Sequence, residues 1–157
     1  MTYGTGEAFN HMTILEGGSG QHVGMIGEIE FAKWLMINGI EFSWSACNKG
    51  PIDFSVFIKG RWAGIDIKAK ERNVAASWEH DAHVTVDQER YACDLYVFVN
   101  VTDNHPTLMG WCGKDRFWKN CKRVHKGDTD GPFTEHVDAG KLTYKHLRKM
   151  EDLLAYC

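Results

Sequence analysis

Four side chains carry most of the chemistry this sequence offers: Glu28, Asp53, Asp66 and Lys68. Asp53 and Asp66 sit in the two halves of an alternating stretch, residues 52–68, that turns at Lys59 and Gly60. Gly60 can take the positive φ that a two-residue hairpin loop requires. With that turn Ile58 faces Arg61, and Phe57 with Trp62, Ser55 with Gly64 and Asp53 with Asp66 follow on one face. Ile52, Phe54 and Val56 oppose Ile67, Ile65 and Ala63 on the other, apolar face. Lys68, two residues beyond Asp66, points to the same side as Asp66. Facing carboxylates repel across a ladder, so the pair calls for a cation. Hard carboxylate oxygens suit Mg²⁺ or Mn²⁺ better than zinc. A lysine beside such an ion is a donor to an attacking water or to a phosphorane-like transition state. The plainer alternative is a solvated polar face on which Lys68 relieves the repulsion.

A third acid comes from a helix. Residues 23–38 are periodic at about 100° per residue, with Gly39 just past the last turn as a C-terminal stop. Met25, Ile29, Phe31, Ala32, Leu35 and Met36 share one broad face, and Glu28 lies within it; Glu30 points away, beside Lys33. An acid on a core-facing stripe with no base beside it needs neutralising, pairing or a metal, because burying it alone costs several kcal/mol.

Around these positions the chain reads as alternating elements. Residues 40–44 form a short strand, and 45–51 a polar loop leading into the hairpin. Residues 71–83 are irregular, and Thr85 with Gln88 resembles a capping box opening a helix through Cys93. Residues 95–101 are nearly all apolar, as in a strand covered on both faces. Residues 107–112 form a further strand, and residues 144–156 a closing helix with Leu147, Met150 and Leu154 inward. Residues 1–22, glycine-rich and without period, are expected to be a flexible segment or an arm, with a possible short strand at Met12–Leu15. The expected class is α/β: a mixed sheet flanked by helices in the order αβββαβ, with an addition over 102–157.

The length of 157 residues suits one domain, residues 23–157, and the 43% hydrophobic and 25% charged content is that of a soluble globular protein. Five scattered cysteines point to free thiols and a cytoplasmic setting, and no stretch predicts a membrane span or signal peptide. Net charge is −3, but residues 114–157 carry 10 basic and 7 acidic side chains. Lys114, Arg116, Lys119, Lys122, Arg123 and Lys126, interleaved with Trp111, Phe117 and Trp118, are either a solvated helix face or a surface that tracks phosphates. Lys70 is a further candidate phosphate contact. A structural zinc held by Cys112, Cys121 and His125, with His105 or His136, is disfavoured, since the gaps do not match paired finger spacings.

Pro51-x-Asp53 followed by Asp66, Ile67 and Lys68 resembles the signature of the PD-(D/E)XK nuclease superfamily. The helix carrying Gly24, Gly27, Glu28, Phe31 and Leu35 is similar to the first helix of archaeal-type Holliday-junction resolvases and related phage and restriction nucleases. Gln88 before the buried strand is similar to a fourth motif of several branches. The resemblance covers about residues 23–101 and implies a restriction-endonuclease-like core. It implies Mg²⁺, replaceable by Mn²⁺, on Glu28, Asp53, Asp66 and the Ile67 carbonyl, with Lys68 catalytic. It further implies a metal-dependent DNA endonuclease with Gln88 near the site; Lys70, on the face of Lys68, is a candidate DNA contact, and cutting both strands with one site per chain favours a homodimer. The competing expectations are a nucleic-acid-binding module that does not cleave, and a structural or inhibitory protein on the same fold.

Overall fold

In the computed structural model, residues 19–45, 50 and 52–155 are described. The expected N-terminal arm up to residue 18, the strand at Met12–Leu15, residues 46–49 and Pro51 lie outside the described residues.

The opening helix α1 runs Ser19–Ile37, four residues longer at its start than its periodicity indicates. Its end is a Schellman motif: Gly39 adopts φ 66°, its N–H donates to Met36 O, and Ile40 N–H donates to Leu35 O. Val23, Met25, Ile26, Phe31, Ala32 and Leu35 are buried, whereas Met36, expected on that stripe, is exposed at the last turn. Strands β1 (Phe42–Trp44), β2 (Phe54–Ile58) and β3 (Arg61–Glu71) follow. The hairpin register is the expected one, with Phe54 opposite Ile65, Val56 opposite Ala63 and Ile58 opposite Arg61. The turn uses two left-handed residues, Lys59 at φ 50° and Gly60 at φ 77°, the type I′ pattern that matches strand twist.

Beyond the hairpin come β4 (Asp81–Thr85), a 3₁₀ turn at Val86–Gln88, β5 (Leu95–Thr102) and β6 (His105–Gly113). The helix expected over Thr85–Cys93 shrinks to that one turn. Thr85 is extended, ends a strand paired with Ala139, and makes no side-chain cap bond. The rest comprises helix α2 (Lys114–Asn120), β7 (Lys122–Val124), β8 (Thr129–Asp130), β9 (Phe133–Thr134), β10 (Ala139–Thr143), a 3₁₀ turn at Tyr144–His146 and helix α3 (Met150–Leu154). The expected closing helix is therefore split. Leu147 and Lys149 are extended so that Arg148 can pair with Trp111. Leu153, not Leu154, is the buried leucine there.

The main sheet has the order β1-β2-β3-β5-β6 and is mixed: β3 and β5 run parallel, and every other neighbouring pair is antiparallel. One face packs against α1 and α3 through Ile65, Ile67, Val97, Val99, Phe31 and Leu35. The other face, with Tyr96 and Phe98, packs against Ala82, Val84, Phe117 and Tyr144 from the C-terminal part and a second sheet, β4-β10-β7. Among the described residues, those after 101 thus supply most of the layer over the second face. Coverage on both faces explains why β5 is buried from Leu95 to Val101. Among the described residues no helix is long and apolar enough to cross a membrane.

Candidate metal and catalytic site

Gly27 sets the height of α1 above the sheet. A Cβ there would stand 2.9 Å from Ala69 Cβ and 3.5 Å from atoms of Ile67 and Val99. The missing side chain lets the helix lie down on β3 and β5, and brings Glu28 to a pocket of about 550 Å³. That pocket is lined by Glu28, Gly50, Asp53, Asp66, Ile67, Lys68, Gln88 and Tyr91. All four residues expected to do chemistry therefore line one space.

Each carboxylate already has a protein partner. Trp44 Nε1 donates to Glu28 Oε1 at 3.0 Å, and Ile67 N–H donates to Asp53 Oδ2 at 2.8 Å. Lys68 Nζ lies 2.8 Å from Asp66 Oδ2 and donates to Gln88 Oε1 at 2.8 Å. Its ammonium also lies 5.9 Å from the Tyr96 ring centroid. Asp53 stands in a bend just before β2, so its side chain caps the Ile67 amide that a continued ladder would have used. The same bend corrects the expected pairing of Ile52 with Ile67: Ile52 lies over Gly64 on the other face, with Cδ1 2.8 Å from where a Cβ on Gly64 would be.

Electrostatically the pocket is overloaded with acid. Burial, followed by repulsion from Glu28, pushes the Asp53 carboxyl up to about 7. Burial also raises Asp66, against the pull of Lys68, and raises Glu28, against the Trp44 hydrogen bond. The charge of Asp66 adds to the rise at Asp53, so the two acids oppose each other's ionisation. A site that retains a proton near neutrality is one where a dication can replace it.

Among the described residues, no three His, Cys, Asp or Glu side chains are drawn together into a closed ligand set. Trp44, Lys68 and the Ile67 amide each hold one carboxylate oxygen of the pocket. The donor set still fits Mg²⁺ or Mn²⁺, since it is all carboxylate oxygen and under mutual repulsion.

Other expected contacts divide into three groups. Gln88 is in the pocket, on Lys68. Lys114 and Arg123 brace the pocket wall: Lys114 Nζ donates to Tyr91 O at 2.6 Å, and Arg123 forms two bonds to Glu89 at 3.1 and 2.9 Å. Arg116, Lys119, Lys122 and Lys126 are exposed and absent from the pocket lining, and Lys70 is exposed near the end of β3. The interleaved aromatics are core residues, with Phe117 and Trp111 buried and Trp118 Nε1 bonded to Tyr96 Oη at 3.0 Å.

Cys112 is buried in the second core, Cys121 Sγ lies 3.7 Å from Trp118 O, and His125, His105 and His136 are exposed. Burial raises both thiols. The sequence reading missed Trp44 and the Arg72 network. Arg72 Nη1 donates to Asn100 Oδ1 and Tyr144 Oη, and Nη2 to Asp81 O, at 2.7–2.8 Å. A polar Asn100 inside an otherwise apolar strand was the one available signal.

Comparisons with protein-family models, with curated proteins and with solved structures found no match.

Proposed function

We propose that this chain is a metal-dependent endonuclease of the PD-(D/E)XK type, built on a restriction-endonuclease-like core and hydrolysing DNA phosphodiester bonds. The observation that carries the reading is the pocket itself: Glu28, Asp53 and Asp66, from a helix and two strands, line one space with Lys68. An α1 helix, an antiparallel hairpin and a buried parallel strand arrive in the order this reading requires.

In this reading the carboxylates of Glu28, Asp53 and Asp66, with the Ile67 carbonyl, hold Mg²⁺ or Mn²⁺. The bound ion supplies neutralisation of phosphate charge and activation of a water for attack. Lys68 reaches toward the reacting phosphate as a hydrogen-bond donor; only 15% of its side chain is exposed, so its charge acts in a partly desolvated site. Gln88 accepts a second bond from the same ammonium and so fixes where it stands beside Asp66. Trp44 fixes the rotamer of Glu28. One such site per chain suits a homodimer when both strands are to be cut.

The test is cleavage of linear, branched and single-stranded DNA in Mg²⁺, Mn²⁺ and chelator. Cleavage in either metal and none in chelator supports the reading. Mn²⁺ binding without cleavage of any substrate would instead favour a binding module on the same fold.

A further inference from the structure

The hairpin carries an exposed aromatic pair on the same side as Asp66 and Lys68. The pairing of β3 with β2 and β5 runs without a register shift, so Trp62, Gly64, Asp66 and Lys68 share one face. Phe57 is the cross-strand partner of Trp62, and the two rings meet edge to face with centroids 5.4 Å apart. Trp62 is 50% exposed and Phe57 38%. A third exposed aromatic, Tyr91, lines the carboxylate pocket itself. At about 3.3 Å per residue, Trp62 stands about 13 Å along β3 from Asp66.

The ground between the pair and the pocket is apolar and well tied. Ile52 lies over Gly64, in the space a side chain there would fill. Asp94 N–H donates to Gly64 O at 2.8 Å, and Asp94 Oδ2 accepts the Gly64 N–H at 2.7 Å. Lys114 holds the same corner: its N–H donates to Asp94 O at 3.0 Å and its ammonium to Tyr91 O at 2.6 Å. An aromatic pair across a ladder stabilises a hairpin, but that role does not call for rings half open to water. Flat apolar rings on the face of a site built to handle phosphate match one chemistry, the unpaired nucleobase. In a duplex the bases cover one another, whereas an open strand has base faces to offer and carries them on the phosphate chain that the pocket would cut.

We propose that Phe57 and Trp62 are a stacking platform for unpaired bases of the strand whose phosphodiester lies at the carboxylate pocket. The substrate class is then DNA with a single-stranded stretch beside the scissile phosphate, as in a single strand, a flap or the open arm of a branch. The platform deepens the nuclease reading and rests on it for the chemistry at Lys68. Stacking of this kind selects open strands without reading their sequence, since every base has a π face.

The experiment measures binding of a labelled thymidine decamer and of a blunt duplex to the full chain in millimolar Ca²⁺, a hard cation for carboxylate oxygens, with the DNA checked intact afterwards. Anisotropy gives the affinity, and the Trp62 indole N–H resonance, assigned by its loss in Trp62→Phe, reports contact. Trp62→Leu keeps an apolar partner for Phe57 and removes the flat ring. We expect the decamer to move the Trp62 resonance, and Trp62→Leu to weaken decamer binding by at least about fivefold and duplex binding by much less. Trp62→Phe should recover most of the loss. Phe133→Leu, at an exposed aromatic on β9 outside the pocket, should change neither affinity. Cleavage of a flapped duplex in Mn²⁺ by the same proteins separates the two readings. Wild type that binds the decamer through Trp62 but cleaves nothing overturns the nuclease reading and leaves the platform. Wild type and Trp62→Leu that cleave the flap and bind the decamer alike overturn the platform and leave the nuclease. The platform also falls if the decamer does not bind, or if Trp62→Leu weakens decamer and duplex equally. It falls as well if that variant splits a dimer with decamer affinity unchanged, which would make the pair a subunit interface.

Discussion

Asp53→Asn should stabilise the metal-free protein, and should do so more at pH 8 than at pH 5. Asparagine keeps the shape: its carbonyl can accept the Ile67 N–H, now accepted by Asp53 Oδ2 at 2.8 Å. What it removes is an ionisation that burial and Glu28 oppose. An aspartate whose carboxyl is raised from 3.8 to about 7 on folding keeps its proton in the folded state over a range where the unfolded chain has lost it. The folded state then binds more protons, so stability falls as pH rises from about 4 through 7. At about 1.36 kcal/mol per pH unit, the penalty at pH 8 is up to about 4 kcal/mol. Coupling to Asp66 and relaxation of the pocket reduce it, so a gain of roughly 1–3 kcal/mol at pH 8 is the working figure. The assay is urea denaturation of wild type and variant in chelator at pH 5, 6, 7 and 8. Millimolar Mn²⁺ should then raise the Tm of the wild type and leave the variant little changed. A variant less stable than wild type at pH 8, or a difference independent of pH, would refute the electrostatic account of the pocket.

Glu28→Gln should lose most cleavage activity, whereas Glu30→Gln, whose partner is an exposed Lys33 at 3.9 Å, should change it little; steady-state cleavage rates of the two decide it. Gly27→Val should lift α1 from β3, because even a Cβ meets Ala69 at 2.9 Å. We expect a loss of roughly 1–3 kcal/mol in denaturation and, in the folded fraction, weaker Mn²⁺ binding from a displaced Glu28. Gln88→Ala should leave Mn²⁺ affinity unchanged and slow cleavage by about tenfold, since Lys68 loses the 2.8 Å bond that positions it.

The site was legible where local rules and tertiary structure agree. The register that brings Asp53 near Asp66 follows from period-two alternation and a turn that only Gly60 and a tolerant Lys59 can make. Glu28 followed from helical periodicity, because the face it shares with Phe31 and Leu35 is the buried one. The misreadings arise where a distant partner overrides a local signal. Thr85 and Gln88 match a capping box, but Thr85 is claimed by Ala139 on β10 and the Gln88 side chain by Lys68. Residues 144–156 suit a helix, but the Arg148 backbone is claimed by Trp111. Trp44 ends the expected strand over 40–44, and nothing in its neighbourhood announces that its indole N–H holds Glu28, sixteen residues earlier. Ile52 was misplaced because period two fails at the bend that lets Asp53 cap the Ile67 amide. The basic stretch was given two readings, a solvated helix face or a phosphate-tracking surface; Lys114 and Arg123 bond to Tyr91 and Glu89, and Arg116, Lys119, Lys122 and Lys126 are exposed.

The central claim is that the carboxylates bind the metal and Lys68 acts on the phosphate. Its most direct test measures Mn²⁺ affinity and single-turnover DNA cleavage on the same preparations of wild type, Asp66→Asn and Lys68→Ala. The account predicts that Asp66→Asn loses both, while Lys68→Ala binds Mn²⁺ at least as tightly as wild type and cleaves about a hundredfold more slowly or worse, as when a transition-state donor is lost. Cleavage by Lys68→Ala at the wild-type rate, or wild-type Mn²⁺ binding and cleavage by Asp66→Asn, would contradict it.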